Sequence, residues 1–93
     1  MRAFTKLETV TWPVECSAMP GRAEVIRAAV KAHKGEGATI QLRQTVSCNG
    51  FLMLMGAITV NGHSFVEARA TMHKVLDAIT AGGIDRATLC NRF

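Results

Sequence analysis

The sequence has no tyrosine, only two prolines and only three cysteines. Its cysteines are odd in number, widely spaced and without a C-x-x-C pair, whereas disulfide frameworks and zinc sites need paired or closely spaced ligands. The histidines have no ligand-like spacing to cysteine, aspartate or glutamate either. The pattern therefore predicts reduced thiols, a cytoplasmic location and no metal. The residues concerned are Cys16, Cys48, Cys90, His33, His63 and His73.

Long apolar runs are also missing. The longest, Phe51 to Val60, is interrupted by Gly56 and Thr59 and falls well short of the roughly 20 residues that span a bilayer. The first residues of the chain are not followed by a signal-type apolar region. The sequence thus predicts neither a membrane partner nor a secretory signal.

No acid–base or nucleophile pair can be placed at reactive spacing along the chain. Cys16 and Cys48 end predicted strands with apolar inward sides, which favours inert buried thiols over activated ones. Residues 35–37, Gly-Glu-Gly, lack the lysine and the following helix of a phosphate loop. The sequence therefore predicts a protein with no catalytic residues and no cofactor.

The composition is that of a folded domain. Hydrophobic residues make up 48% of the chain and charged residues 19%, a balance that allows a buried core. The 93 residues suffice for a single domain, residues 1–93, but not for two. A core this small makes oligomerisation a plausible source of stability. The formal net charge of +4 suits an acidic partner or nucleic acid.

Hydrophobic periodicity predicts the order β-α-β-β-α, with one more strand in the tail. Residues 7–16 and 39–47 alternate between apolar and polar, which is typical of half-buried strands. Apolar residues recur at helical spacing before Gly35 and again between Ser64 and Gly82. Ser64 and Glu67 have the spacing of a capping box at the second helix. Residues 84–93 are short and mixed, and we assign them to the tail strand.

Asn49-Gly50 predicts a hairpin between the second and third strands. Both residues tolerate the positive φ angles of a two-residue type I′ turn, and a turn centred there pairs Val46 with Met53. The third strand, Phe51 to Val60, is apolar on both sides in its first half. Such a strand is normally central in its sheet and covered on both faces.

These elements predict a ferredoxin-like α+β fold. A right-handed helical crossover makes the first two strands parallel, and a tail strand beside the first gives the order 4-1-3-2 with both helices on one face. The other face stays open. In the predicted register Leu52 and Leu54 point towards it, and with Phe51 they are the candidate interface of a homo-oligomer. A bulge at Gly56, or cover by the tail, is the alternative.

Several residues of the chain together resemble a known family, the small YbeD-like proteins. The match covers roughly residues 7 to 90. That family has a ferredoxin-like fold, similar in shape to ACT-type regulatory domains. The resemblance implies a regulatory or ligand-sensing module and brings no catalytic residues with it. It is carried by Trp12-Pro13, Val25-Ile26 through Val30, His33, Arg43, Ser47 through Phe51, and Ser64 to Glu67.

The first helix has a basic face, which is either solvated or a docking surface for an acidic protein or for phosphates. Our leading hypothesis is a non-enzymatic regulatory or adaptor module that forms a homo-oligomer. The alternatives are a phage or mobile-element inhibitor that docks this face on an acidic host protein, and a nucleic-acid binder. Sequence-specific RNA reading is disfavoured because the third strand offers no aromatic platform for bases. The basic residues are Arg22, Arg27, Lys31 and Lys34.

Overall fold

The computed structural model describes residues 7–90 as a three-stranded antiparallel sheet with two main helices. Strand β3 lies between β1 and β2 and runs antiparallel to both. The predicted α+β class and the central position of the third strand are therefore confirmed. The elements are β1 (Glu8–Ser17), α1 (Arg22–Ala32), β2 (Ala38–Val46), β3 (Leu52–Gly62), α2 (Phe65–Ala81) and α3 (Arg86–Leu89), with a 3₁₀ turn (Lys34–Glu36) after α1.

Both main helices pack on the same face of the sheet. Directly paired residues such as Cys16 with Leu54, and Ile40 with Ile58, are even-numbered, and direct partners in a sheet share a face. The even-numbered residues of all three strands therefore form one face, and the helices cover it. The core side chains include Val14, Cys16, Leu54, Ile58 and Val60 of the sheet, Ile26 and Val30 of α1, and Met72, Val75, Leu76 and Ile79 of α2.

The second helix begins where its cap residue predicts. The Ser64 hydroxyl accepts a hydrogen bond from the Glu67 backbone N–H at 3.1 Å, which satisfies a donor that the first turn of a helix leaves open. Its buried residues recur every three or four positions and face the sheet. In the described part of the chain, no helix combines the length and the apolar character that crossing a membrane requires.

The hairpin differs from the prediction by one residue. The Ser47 N–H donates to the Phe51 carbonyl (2.8 Å), and the Gly50 N–H donates to the Ser47 carbonyl (2.9 Å). Gly50 has a φ of +84°, as in a three-residue loop that ends on a left-handed residue. Val46 consequently pairs with Leu52 and not with Met53. A shift of one residue moves every side chain of a strand to the other face.

The predicted tail strand is not formed over residues 84–90. The Asp85 carboxylate accepts a hydrogen bond from the Thr88 N–H at 2.7 Å and caps the single turn α3. Hydrogen bonding with the Thr88 side chain, followed by this backbone bond, lowers the pKa of Asp85. Cys90 then makes one isolated bridge with Glu15, parallel to β1. The last residues of the predicted strand, 91–93, lie outside the described residues. Residues 1–6 also lie outside the described residues, and with them the start of the chain, for which the sequence predicts no secretory signal.

Candidate functional site

The structure separates the three predicted interface residues. Leu54 is 4% exposed and lies in the core, so the prediction that it points to the open face is wrong. The three-residue hairpin loop turns it towards the helices instead. Leu52 shares that face but is 50% exposed at the end of the sheet, and Phe51 in the loop is 68% exposed. Of the three, only Phe51 and Leu52 are accessible to a partner.

Phe51 and Leu52 belong to an exposed apolar surface at the hairpin end of the sheet. The Ala18 N–H donates to the Leu52 carbonyl at 3.0 Å, which holds the segment after β1 against the start of β3. Met19 in that segment and Val46 opposite Leu52 are both more than half exposed. The concave part of this surface, about 710 Å³, has no charged residue in its lining. We call the set Met19, Val46, Phe51 and Leu52 the hairpin-end surface.

The open face of the sheet carries the odd-numbered residues of the strands. Met53 and Met55 lie on the central strand β3 and are half-buried, whereas the predicted register points them towards the helices. Across the sheet, Met55 is flanked by Glu15 on β1 and Arg43 on β2. The face is therefore a mixture of methionine, threonine and charged side chains, and not the leucine surface that the sequence predicts.

The four basic residues predicted for the first helix differ in their surroundings, and Lys34 lies in the 3₁₀ turn after α1 and not in the helix. The Arg22 guanidinium donates to the Ser17 hydroxyl at 2.7 Å and to the Ser17 carbonyl at 3.2 Å. These bonds connect the start of α1 to the end of β1. Arg27 lies further along, where its Nη2 donates to the Leu42 carbonyl at 3.4 Å. Lys31 and Lys34 are exposed, and within residues 7–90 neither forms an ion pair.

Three of these cations line a groove between α1 and β2. The groove has a volume of about 330 Å³, and no acidic residue lines it. Arg27 and Lys31 come from α1 and Lys34 from the 3₁₀ turn that follows it, whereas the apolar floor comes from α1 and β2. The sequence identified the cations but not their position beside β2, because the packing of α1 against that strand is a tertiary feature. We call the set Arg27, Lys31, Lys34, Val30, Ala38 and Ile40 the α1–β2 groove.

Glu36, in the 3₁₀ turn after α1, contacts residues that do not line the groove. Its Oε1 lies 3.3 Å from His33 Nδ1, and its Oε2 accepts from Lys74 Nζ and from the Thr71 hydroxyl, each at 3.4 Å. The hydrogen bond with His33, followed by the Lys74 charge, lowers the pKa of Glu36. These contacts tie the 3₁₀ turn to α2 and leave the groove without a carboxylate.

We expect Glu36→Gln to destabilise the fold near neutral pH and to destabilise it less in acid. Because the folded protein lowers the pKa of Glu36, its contribution is complete above the ordinary carboxyl pKa and is lost as the pH falls through the lower folded value. Urea unfolding at about pH 7 and about pH 3 measures the difference. Glu24→Gln, an exposed carboxyl on α1, is the matched control. An equal loss of stability from Glu36→Gln at both pH values would contradict the assignment.

The cysteines are unpaired, but their exposure differs from the prediction. Cys16 is buried as expected, whereas Cys48, for which the sequence also predicts burial, is exposed in the hairpin loop. Cys90, for which the sequence makes no prediction of burial, is buried. Burial raises the pKa of the Cys16 thiol, with the nearby Arg22 charge acting in the opposite direction. Across residues 7–90, no group of three or more histidine, cysteine, aspartate or glutamate side chains is placed to hold a metal ion.

Comparisons of the chain with protein-family models, with curated proteins and with solved structures gave no match. The hairpin-end surface and the α1–β2 groove are therefore the two candidate functional surfaces of residues 7–90.

Proposed function

We propose that this protein is a non-enzymatic regulatory or adaptor module that acts through protein–protein contacts and forms a homo-oligomer through its hairpin-end surface. The observation that carries the proposal is the cluster of four large apolar side chains, each at least half exposed, at one end of the sheet. Apolar surface of this kind gains roughly 25 cal/mol per Å² when a partner removes it from water. Contiguous exposed patches are typical of interaction sites.

The charge distribution favours a second copy of the chain as the partner at this surface. The whole protein carries a formal net charge of +4, so two copies repel each other over most orientations. The concave part of the hairpin-end surface has no charged residue in its lining. Contact there lets two copies bury apolar area against a lining that holds no charged side chain.

The ferredoxin-like and YbeD-like assignments are part of this proposal. A split β-α-β unit, with β3 between β1 and β2, supports the ferredoxin-like assignment. The YbeD-like resemblance, and the regulatory role that it implies, rest on the sequence residues alone. Three unpaired cysteines support a cytoplasmic location, since thiols stay reduced there.

We expect multi-angle light scattering at micromolar concentration to give the mass of a dimer or a larger assembly for the wild-type protein. Leu52→Lys places a charge in the apolar contact and is expected to weaken association by about 2 kcal/mol, roughly 30-fold in Kd. Val66→Lys makes the same change at an apolar residue that is 77% exposed on α2, and it should leave the mass unchanged. A monomeric wild-type protein, or dissociation by Val66→Lys alone, would refute the proposal.

A second candidate function is a small phage or mobile-element inhibitor that docks on an acidic host protein. The observation that favours it is the α1–β2 groove, where three cations surround an apolar floor without an acidic residue. A site of this kind attracts carboxylates at long range and orients them on contact.

A further inference from the structure

We infer that the α1–β2 groove binds an extended peptide segment with acidic residues, and that this segment adds to the sheet as a strand along β2. The inference gives a partner class to the second candidate function. It does not depend on the hairpin-end surface. The recognition mode is strand addition at a sheet edge, in which backbone hydrogen bonds supply affinity and flanking side chains supply specificity.

Strand β2 has an edge that is open within residues 7–90, because it pairs only with β3. Ser47 and Phe51 form a hydrogen-bonded pair at the hairpin, and such pairs alternate along an antiparallel ladder. Odd-numbered residues of β2 therefore bond to β3, and even-numbered residues direct their N–H and C=O groups outward. The hydrogen bond from Arg27 to the Leu42 carbonyl agrees with this direction.

The outward-facing stretch is centred on Ile40. At one end, the Ala38 N–H already donates to the His33 carbonyl at 3.2 Å. At the other, Arg27 reaches the Leu42 carbonyl. The N–H and C=O of Ile40 lie between these two bonds, next to the groove. An incoming strand can pair with them without disturbing the ladder between β2 and β3.

The groove specifies which side chains such a strand carries. In an antiparallel addition, the residue opposite Ile40 points to the helix side, as do the residues two positions before and after it. The apolar floor favours an apolar side chain at the central position. Arg27, Lys31 and Lys34 favour carboxylates at the two outer positions. The resulting pattern is acidic, any residue, apolar, any residue, acidic.

The opposite edge of the sheet is less suited to this role. Pro13 in β1 has no N–H to donate, and Cys90 already bridges Glu15 there. Nucleic acid is also a poorer occupant of the groove, because no aromatic side chain lines it and single-stranded nucleic acid binds largely by stacking on aromatics. The volume of about 330 Å³ is at the low end for ligand pockets and suits a peptide side chain.

Fluorescence anisotropy with labelled heptapeptides tests the inference on the full chain. We expect the peptide SETVTES to bind with a saturable curve and the charge-reversed peptide SKTVTKS to bind at least about tenfold more weakly. N-methylation at the valine removes an N–H that faces β2 and should abolish binding, whereas N-methylation at a threonine removes one that faces away. Equal binding of both N-methylated peptides would show attraction by charge alone and would overturn strand addition.

Charge-reversed variants of the protein locate the site. Lys31→Glu should weaken the binding of SETVTES about tenfold, whereas Arg69→Glu makes the same change of charge on exposed α2 and should have no effect. Circular dichroism checks that both variants are folded. Equal effects of the two variants, or a labelled oligothymidylate that binds more tightly than SETVTES, would refute the inference. Leu52→Lys should not change the affinity for the peptide, so this experiment fails or succeeds independently of homo-oligomer formation.

Discussion

Leu54→Ala is expected to lower the free energy of unfolding by about 2–5 kcal/mol, whereas Leu52→Ala should cost less than about 1 kcal/mol. The two leucines lie two residues apart on the same face of β3, but their surroundings differ. Leu54 is 4% exposed within the core, whereas Leu52 is 50% exposed. Truncation of Leu54 leaves a cavity that the neighbouring side chains fill only in part, and truncation of Leu52 leaves none.

Urea denaturation of both variants measures this difference and tests the hairpin register directly. Met53→Ala, on the open face and half-buried, serves as the control and should cost less than Leu54→Ala. If β3 were shifted by one residue, as a two-residue turn requires, Met53 would face the helices and Leu54 the open face. Met53→Ala would then be the most destabilising of the three, an outcome that contradicts the observed pairing.

Gly56→Ala is expected to destabilise the protein by about 3 kcal/mol, because the added methyl group has no space. A Cβ at Gly56 would overlap the carbonyl oxygen of Gln41 and crowd the Cα of Leu42. Both are backbone atoms of β2, so relief requires the two strands to move apart. A flexible side chain at this point could simply rotate away, but a paired strand cannot.

Thermal denaturation followed by circular dichroism measures the effect, with Gly35→Ala as the matched control. Nothing lies within 4 Å of a Cβ built at Gly35, so alanine there should be neutral or slightly stabilising. If Gly56→Ala unfolds at the same temperature as Gly35→Ala, the close approach of β2 to β3 at this position is wrong.

The elements of this fold were predictable from local patterns. Alternation identified β1 and β2, the doubly apolar segment after the hairpin identified β3 as the central strand, and Ser64 identified the start of α2. The hairpin register could not be predicted in the same way, because Asn49-Gly50 is compatible with both a two-residue and a three-residue loop. In the two-residue type I′ turn both residues have positive φ, whereas in the three-residue loop only the glycine does. That choice decides which leucine is buried, and hence which of the predicted interface residues can meet a partner.

Local sequence patterns also failed to predict the structure of the tail and the α1–β2 groove. Asp85 and Thr88 have the spacing of a helix cap, a signal that outweighed weak strand propensity in residues 84–90. The cations of the groove were predictable from their helical spacing. The apolar floor of the groove was not predictable, because Ala38 and Ile40 come from β2. A site shared between a helix and an edge strand appears only when the chain is folded.

The positive charges beside β2 bear on how this protein avoids forming fibrils. An unprotected edge strand can recruit the same strand from another molecule, and edge lysines are a common defence against such stacking. Lys31 and Lys34 lie along that edge, so two copies that approach through β2 place like charges side by side. Like-charge repulsion therefore disfavours pairing of two copies through β2, whereas an acidic strand is attracted to the same edge. Self-association is left to the hairpin-end surface.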